Sequence, residues 1–482
     1  WGSFSTAQAK AMTDPAIDGF QFILHAPNER LSKENRSKIR RHAMKVVGAA
    51  RRTPNDASHR ESAKYYKTHR GMEMSSLLPP MPLSGLELLV KDQGLDPFDL
   101  SSLTTVHIGP IASSLLQLDS SQLPGVLAYR QWSYFSLIPP RFGHVAALDD
   151  AFQCLVTITH SLLVPNHRQS DRVILQQYGK ALQSLQKAVD EPNSRYYSEI
   201  LCATGMLSIF ELLNSPNGQL WYHHIAGASQ IIQYRGPERF SSDFDIALLL
   251  SLGYPICAES LLNNKSCFLD DPTWIQVIKN AIDDREIFTD RSPLGIRLLT
   301  LMVRVPGLAK KTCHAVTMQH SLQPRDFDAV AAKVRILRSD VAAWRRDFNM
   351  TLIHTPDTTK KKSTLDTDKR YELLGVALII QILVSRMIVC ISPNDRGLLE
   401  EEVQSFAIEL KCLLGSVRHH RRAEFFLTQK VKIANAALVT HDDFAAAIGC
   451  DRVIEAWKLK KFDNAFGRKT CDGITCCVLE ER

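Results

Sequence analysis

One stretch limits what this chain can fold into more than any other. From Ile200 to Leu213 nearly every position is apolar: Ile200, Leu201, Ala203, Met206, Leu207, Ile209, Phe210, Leu212 and Leu213. A helix that is apolar all round is buried on all sides, so this one requires a shell of other elements around it. Asn214, Ser215, Pro216, Asn217 and Gly218 end it, because they combine turn chemistry with a helix breaker. A second, amphipathic helix is predicted from about Gln219 to Arg235, with Trp221, Ile225, Ala228 and Ile232 at i, i+4, i+7 and i+11. Gly227 and Ala228 are small enough to let a neighbouring helix approach. Gly236 and Pro237 then stop it, Gly as a left-handed cap and Pro because it cannot continue the helix.

The same helical spacing recurs along the chain. Helices are predicted over Ala146–Leu163, Arg172–Val189, Asp245–Leu262, Pro272–Ile282, Leu294–Ala309, Pro324–Met350, Tyr371–Ile391, Glu400–Leu414, Ala423–Thr440 and Asp451–Phe462. Thr355 to Asp368 is polar and charged and reads as a surface loop. Gly375 to Ile391 is the most apolar run; it is short for a bilayer span, and Gln381 and Arg386 interrupt it, so it reads as a core helix. No run of alternating strands and no short-period repeat is visible. The expected fold is all-α, a large antiparallel helical array forming a single main domain over residues 116–482. Residues 1–19 read as a leader ahead of the fold, 20–70 as a basic segment with a helix over about 32–52, and 71–115 as a proline-containing linker. Apolar content of 45% and charged content of 23% suit a globular chain with a substantial core.

Several motifs in order carry a family resemblance. The buried helix ends in Glu211-Leu212-Leu213; Trp221-x-x-His224-x-x-Gly227-Ala228 follows, then Arg235-Gly236-Pro237. Ile39-Arg40-Arg41-His42-Ala43-Met44 with Arg51-Arg52, Leu95-Asp96-Pro97-Phe98, and Cys267-Phe268-Leu269 followed by Trp274 add to it. Together they resemble the fungal-specific transcription factor domain, the helical regulatory region that normally follows a zinc binuclear cluster, over roughly residues 20 to 460. The resemblance implies ligand response, dimer contact and control of transcription in the nucleus, with the cytoplasm as the alternative. It also implies mainly structural roles for Trp221, His224, Gly227, Ala228, Arg235, Gly236 and Pro237. The zinc module of that family has six cysteines in two Cys-x2-Cys pairs. Here no cysteine precedes Cys154, so no residue is assigned as a metal ligand.

Charge is concentrated near the start. Between Arg30 and Arg70 thirteen Lys or Arg face three acids, a net +10, while the whole chain is only +7. Arg36, Lys38, Arg40, Arg41, Lys45, Arg51 and Arg52 are the candidate contacts to DNA or another polyanion. The bland alternative is a solvated helix face. His223-His224 point about 100° apart on a helix and do not chelate one metal; His224 reads as a core histidine hydrogen-bonded to a neighbouring helix. His419-His420 reads as basic surface. The pairs Asp149-Asp150, Asp270-Asp271, Asp283-Asp284 and Asp442-Asp443 read as helix-terminal acids. No phosphate loop, catalytic motif or cofactor motif is found. The eleven cysteines have no spacing framework and read as reduced thiols.

The function expected is therefore a transcription-factor-like helical regulatory domain without its own zinc cluster. Its expected partners are DNA through the basic helix, a hydrophobic small molecule, and a protein partner or second copy, with no membrane span. Two alternatives are an enzyme of fungal secondary metabolism that reuses the scaffold, and a non-DNA-binding partner of a regulator.

Overall fold

The computed structural model describes residues 134–163, 171–214, 221–283, 288–354, 364–417, 421–448 and 453–469. Every regular element among the described residues is helical, so the fold is all-α. Two 3-10 turns, Tyr134–Leu137 and Pro139–Arg141, lead into α1 (Ala146–Leu163), α2 (Asp171–Asp190), α3 (Ser198–Asn214), α4 (Trp221–Arg235) and α5 (Asp243–Leu262). Three shorter helices follow: α6 (Pro272–Asn280), α7 (Pro293–Met302) and α8 (Val305–Thr317). Then come α9 (Pro324–His354), α10 (Thr364–Ile391), α11 (Arg396–Ser416), α12 (Arg421–Val439), α13 (His441–Ala445) and α14 (Ala456–Phe466).

Local chemistry sets many of these starts. Ser242 accepts a hydrogen bond from the Asp245 amide and opens α5. Asp271 accepts from the Thr273 amide ahead of α6, and Ser292 from the Gly295 amide ahead of α7. Pro272 and Pro293 occupy the first helical positions, where a missing N–H costs nothing.

The first group of helices closes around α3. Residues 200–211 of α3 are all buried, and α3 packs on α1, α2, α4 and α5. The second group closes around α10, which packs on α7, α8, α9, α11 and α12. α8 touches both α5 and α10, and one apolar core runs from Tyr134 to Phe466. Each fully buried Leu, Ile or Phe in it contributes roughly 1.5–3 kcal/mol.

Two expectations are corrected. The predicted helix over Leu294–Ala309 is two helices, because the chain turns at Val303–Arg304 and Pro306 falls in the first turn of α8. The last five residues of the predicted loop from Thr355 to Asp368 are helical, since α10 begins at Thr364; residues 355–363 lie outside the described residues. The apolar part of α10, Lys369–Ile391, and α5 are both long and apolar enough to cross a bilayer. They are interior helices here: 94% and 78% of their most apolar windows are buried against protein.

Candidate functional site

The family-motif residues meet on α4. Trp221, His224, Ile225, Gly227, Ala228, Ile232 and Arg235 are buried and form the inner face of that helix. The side chains at its two ends join separate polar networks, and those networks fix α4 against its neighbours.

At the start of α4, His224 lies in a buried triad with Tyr178 of α2 and Glu211 of α3. The Tyr178 hydroxyl donates to the Glu211 carboxylate. The same oxygen lies 3.1 Å from His224 Nε2. Tyr178 has one proton and gives it to Glu211, so this arrangement requires His224 to donate from Nε2 to the phenol oxygen. The Tyr178 ring stacks on Phe210 with centroids 4.5 Å apart. Burial, and secondarily the neighbouring His223, push the His224 pKa down to about 3, so the imidazole is neutral at cellular pH. Burial raises Glu211, opposed by the Tyr178 hydrogen bond. Burial raises Tyr178 well above its ordinary value, with the Glu211 charge adding to it. A histidine held this far from neutrality does not shuttle protons near pH 7. The triad joins α2, α3 and α4 through directional bonds in an otherwise apolar interior.

At the other end, Arg235 is buried and donates from Nη2 to Asp245 Oδ1 at 2.7 Å and to Ser198 Oγ at 3.0 Å. Its guanidinium carbon lies 4.7 Å from the Phe240 ring centroid. Ser198 opens α3 and Asp245 lies in the first turn of α5, so this cation ties the starts of two helices to the end of a third. Gly236 has φ of +78°, and a Cβ there would lie 2.3 Å from Glu238 Oε1. Pro237 starts the 3-10 turn Pro237–Arg239. The turn carries the chain from α4 into α5. Beside it, the Arg141 guanidinium lies over the Phe244 ring at 4.1 Å and reaches Glu199 at 3.4 Å.

A third network lies in the second helical group and was not assigned from the sequence. Arg386 of α10 is fully buried. It donates to Glu400 Oε1 at 2.8 Å, the Ala437 carbonyl at 2.9 Å and Thr440 Oγ1 at 3.2 Å, and lies 3.7 Å from the Phe444 ring centroid. Arg468 forks onto both Asp463 oxygens, at 3.1 and 3.0 Å, and reaches Asn264 Oδ1 at 2.7 Å. Burial raises Asp463 to about 6 even so. Between the two arginines is a cavity of about 20 Å³, lined also by Thr312, Met387 and Phe462. That is room for a guest the size of a water molecule. The available signal was Arg386 itself, a charge inside an apolar run: such a charge has to be paired when the run is buried.

The remaining predicted positions divide by location. Asp149 and Asp150 lie near the start of α1, Asp271 caps α6, and Asp442 and Asp443 open α13. Arg36, Lys38, Arg40, Arg41, Lys45, Arg51 and Arg52 lie outside the described residues, as do the His419-His420 pair and the linker. Among the described residues no three His, Cys, Asp or Glu side chains come together where they could hold a metal ion.

An all-helical array organised by a buried central hairpin is the class of protein this geometry defines. Residues 150–254, from α1 into α5, match the family model of the fungal specific transcription factor domain. Both α4 networks fall inside that span, and only the neighbouring Arg141 lies outside it. No curated protein and no solved structure matches the chain.

Proposed function

We propose that this chain is a transcription-factor-like regulatory domain, acting through ligand response and protein contacts and without a zinc cluster within Trp1–Arg482. One observation carries the reading. The family match over residues 150–254 coincides with the hairpin whose motif residues His224 and Arg235 join the buried networks between α2 and α5. The nucleus is the compartment the reading implies. The basic segment, with Arg36, Lys38, Arg40, Arg41, Lys45, Arg51 and Arg52, is the proposed contact to DNA phosphates, a contact that positions without reading sequence.

The proposed effector is a hydrophobic small molecule. Drug-sized sites occupy about 300–1,000 Å³, far more than the roughly 20 Å³ beside Met387. Binding there requires α8, α10 and α14 to separate, and that movement is the proposed route from ligand to response.

The DNA contact is tested by duplex binding at about 50 and about 200 mM salt, for the full chain and for a form beginning at Gly71. The expected result is binding by the full chain that falls steeply with salt, and no binding by the shorter form. Equal binding by both forms, or none at low salt, rules out the contact.

A further inference from the structure

The cavity between Arg386 and Arg468 is walled in part by hydrogen-bond donors that the protein leaves unused. Thr312 of α8, Arg386 of α10 and Arg468 just past α14 line it, and all three side chains are buried. The end of α14 shows why Arg468 is there. Gly467 has φ of +91°, and the Arg468 amide bonds back to the Asp463 carbonyl at 2.9 Å. That left-handed cap turns the chain back over the last turn of α14 and sets Arg468 beside Asp463. Each arginine spends its terminal nitrogens on protein. Arg386 uses them on Glu400, Thr440 and the Ala437 carbonyl, and Arg468 on Asp463 and Asn264. Arg386 Nε, Arg468 Nε and Thr312 Oγ1 are buried and find no acceptor among the described residues. A buried donor without an acceptor is costly, and one acceptor in the cavity could serve all three.

We infer that this cavity is a halide site, holding one chloride ion between α8, α10 and the end of α14. Its volume of about 20 Å³ has room for a guest of one heavy atom. A chloride ion is only slightly larger than a water molecule, accepts from several directions and brings no proton of its own. A water brings two protons that need acceptors. The one carboxylate on the wall, Asp463, already receives Arg468 on both oxygens. Arginine side chains have donors and no acceptor. The charge of the wall favours an anion as well, since two guanidiniums stand against one carboxylate, a net +1. Glu400, the partner of Arg386, is not part of the wall. Leu383, Met387, Leu459 and Phe462 add apolar surface around the ion, and bonds to a charge are stronger there than in water.

The site rests on these donors and not on the regulatory reading. An effector that parts α8, α10 and α14 would displace the ion, so the two occupants exclude each other. The test uses chloride itself and the full chain. At constant ionic strength, with gluconate making up the balance, the chloride NMR line should broaden saturably in the presence of the protein. Bromide should reverse the broadening and sulfate should not. Thr312→Val removes one donor, and Arg468→Lys removes another while keeping a cation beside Asp463. Each should raise the half-saturating chloride concentration about tenfold or more, as for a lost bond to a charged group. Thermal unfolding followed by circular dichroism separates binding from folding. The wild type should melt at a higher temperature in chloride than in gluconate, and both variants should stay helical and lose most of that difference. In a crystal grown with bromide, an anomalous peak is expected between Arg386 and Arg468. Broadening that does not saturate, equal melting in chloride and gluconate, an undiminished chloride effect in Thr312→Val, or a water in the cavity with no bromide there overturns the proposal.

Discussion

His224, Arg235 and Lys430 show how single side chains set the conditions under which this chain is stable. The His224 pKa is about 3 in the fold and about 6.5 in an unfolded chain. Between those values the unfolded state binds a proton that the folded state refuses, so this group removes stability as pH falls from 6.5 toward 3. His224→Gln keeps a polar group in the triad without that titration. Its deficit relative to wild type in urea unfolding should therefore shrink from pH 7 to pH 4. A constant deficit would contradict the assignment. Lys430 works at the other end of the scale. Burial, opposed by Glu372, holds its amine at about 7, with Nζ 3.2 Å from the Phe426 ring centroid. The penalty of a buried cation is present in full below pH 7 and disappears as pH rises toward 10.5, where the unfolded lysine also loses its proton. Lys430→Met should be the more stable form near pH 7, and the gap should close by about pH 10. Arg235 is a structural cation, and Arg235→Ala leaves Asp245 buried without its counter-charge, with only the Ser198 and Ser242 hydroxyls, among the described residues, donating to it, at a cost of about 3–5 kcal/mol in thermal or urea unfolding. At this scale the sequence showed that His224 and Arg235 belong to a motif, because they stand at fixed offsets from Trp221. It did not show Tyr178 or Asp245 as their partners, which lie 46 and 10 residues away in the chain. Long-range hydrogen bonds leave no periodic trace.

Among the elements, α3 and α10 were readable from composition alone, since a run without a polar face has nowhere to go but the interior. The closeness of their packing was not. Gly375 of α10 faces α12, and a Cβ there would lie 2.4 Å from Leu427 Cδ2. Glycine is what lets α10 and α12 approach at that level. Gly375→Val should destabilise by about 1–3 kcal/mol or more through overpacking; recovery on adding Leu427→Ala would locate the strain between those two helices. The missed break at Val303–Arg304 has a clear cause. Apolar spacing continues across it in Leu301, Met302, Val305 and Leu308, and only Pro306 marks the new start, because proline fits the first turn of a helix and not its middle. The early start of α10 was hidden for a related reason. Thr364–Asp368 has no apolar spacing, and this polar first turn is carried by the helix that follows it.

For the whole molecule, two helical groups share one core through α8, and each is fastened by buried ion pairs as well as by apolar contact. The all-α architecture followed from the recurrence of one spacing, whereas the division around α3 and α10 depends on which helices touch. As a proposed transcription-regulatory domain, this array should act on transcription when brought to DNA by other means. The most direct measurement fuses residues 134–482 to an unrelated DNA-binding module and reads a reporter gene in a fungal cell. A matched fusion carrying Arg235→Ala tests the dependence on the hairpin, with the level of each protein followed by immunoblot. The intact fusion should change reporter transcription relative to the module alone, and the variant should lose the change. Unaltered transcription from a well-accumulated intact fusion would contradict that role.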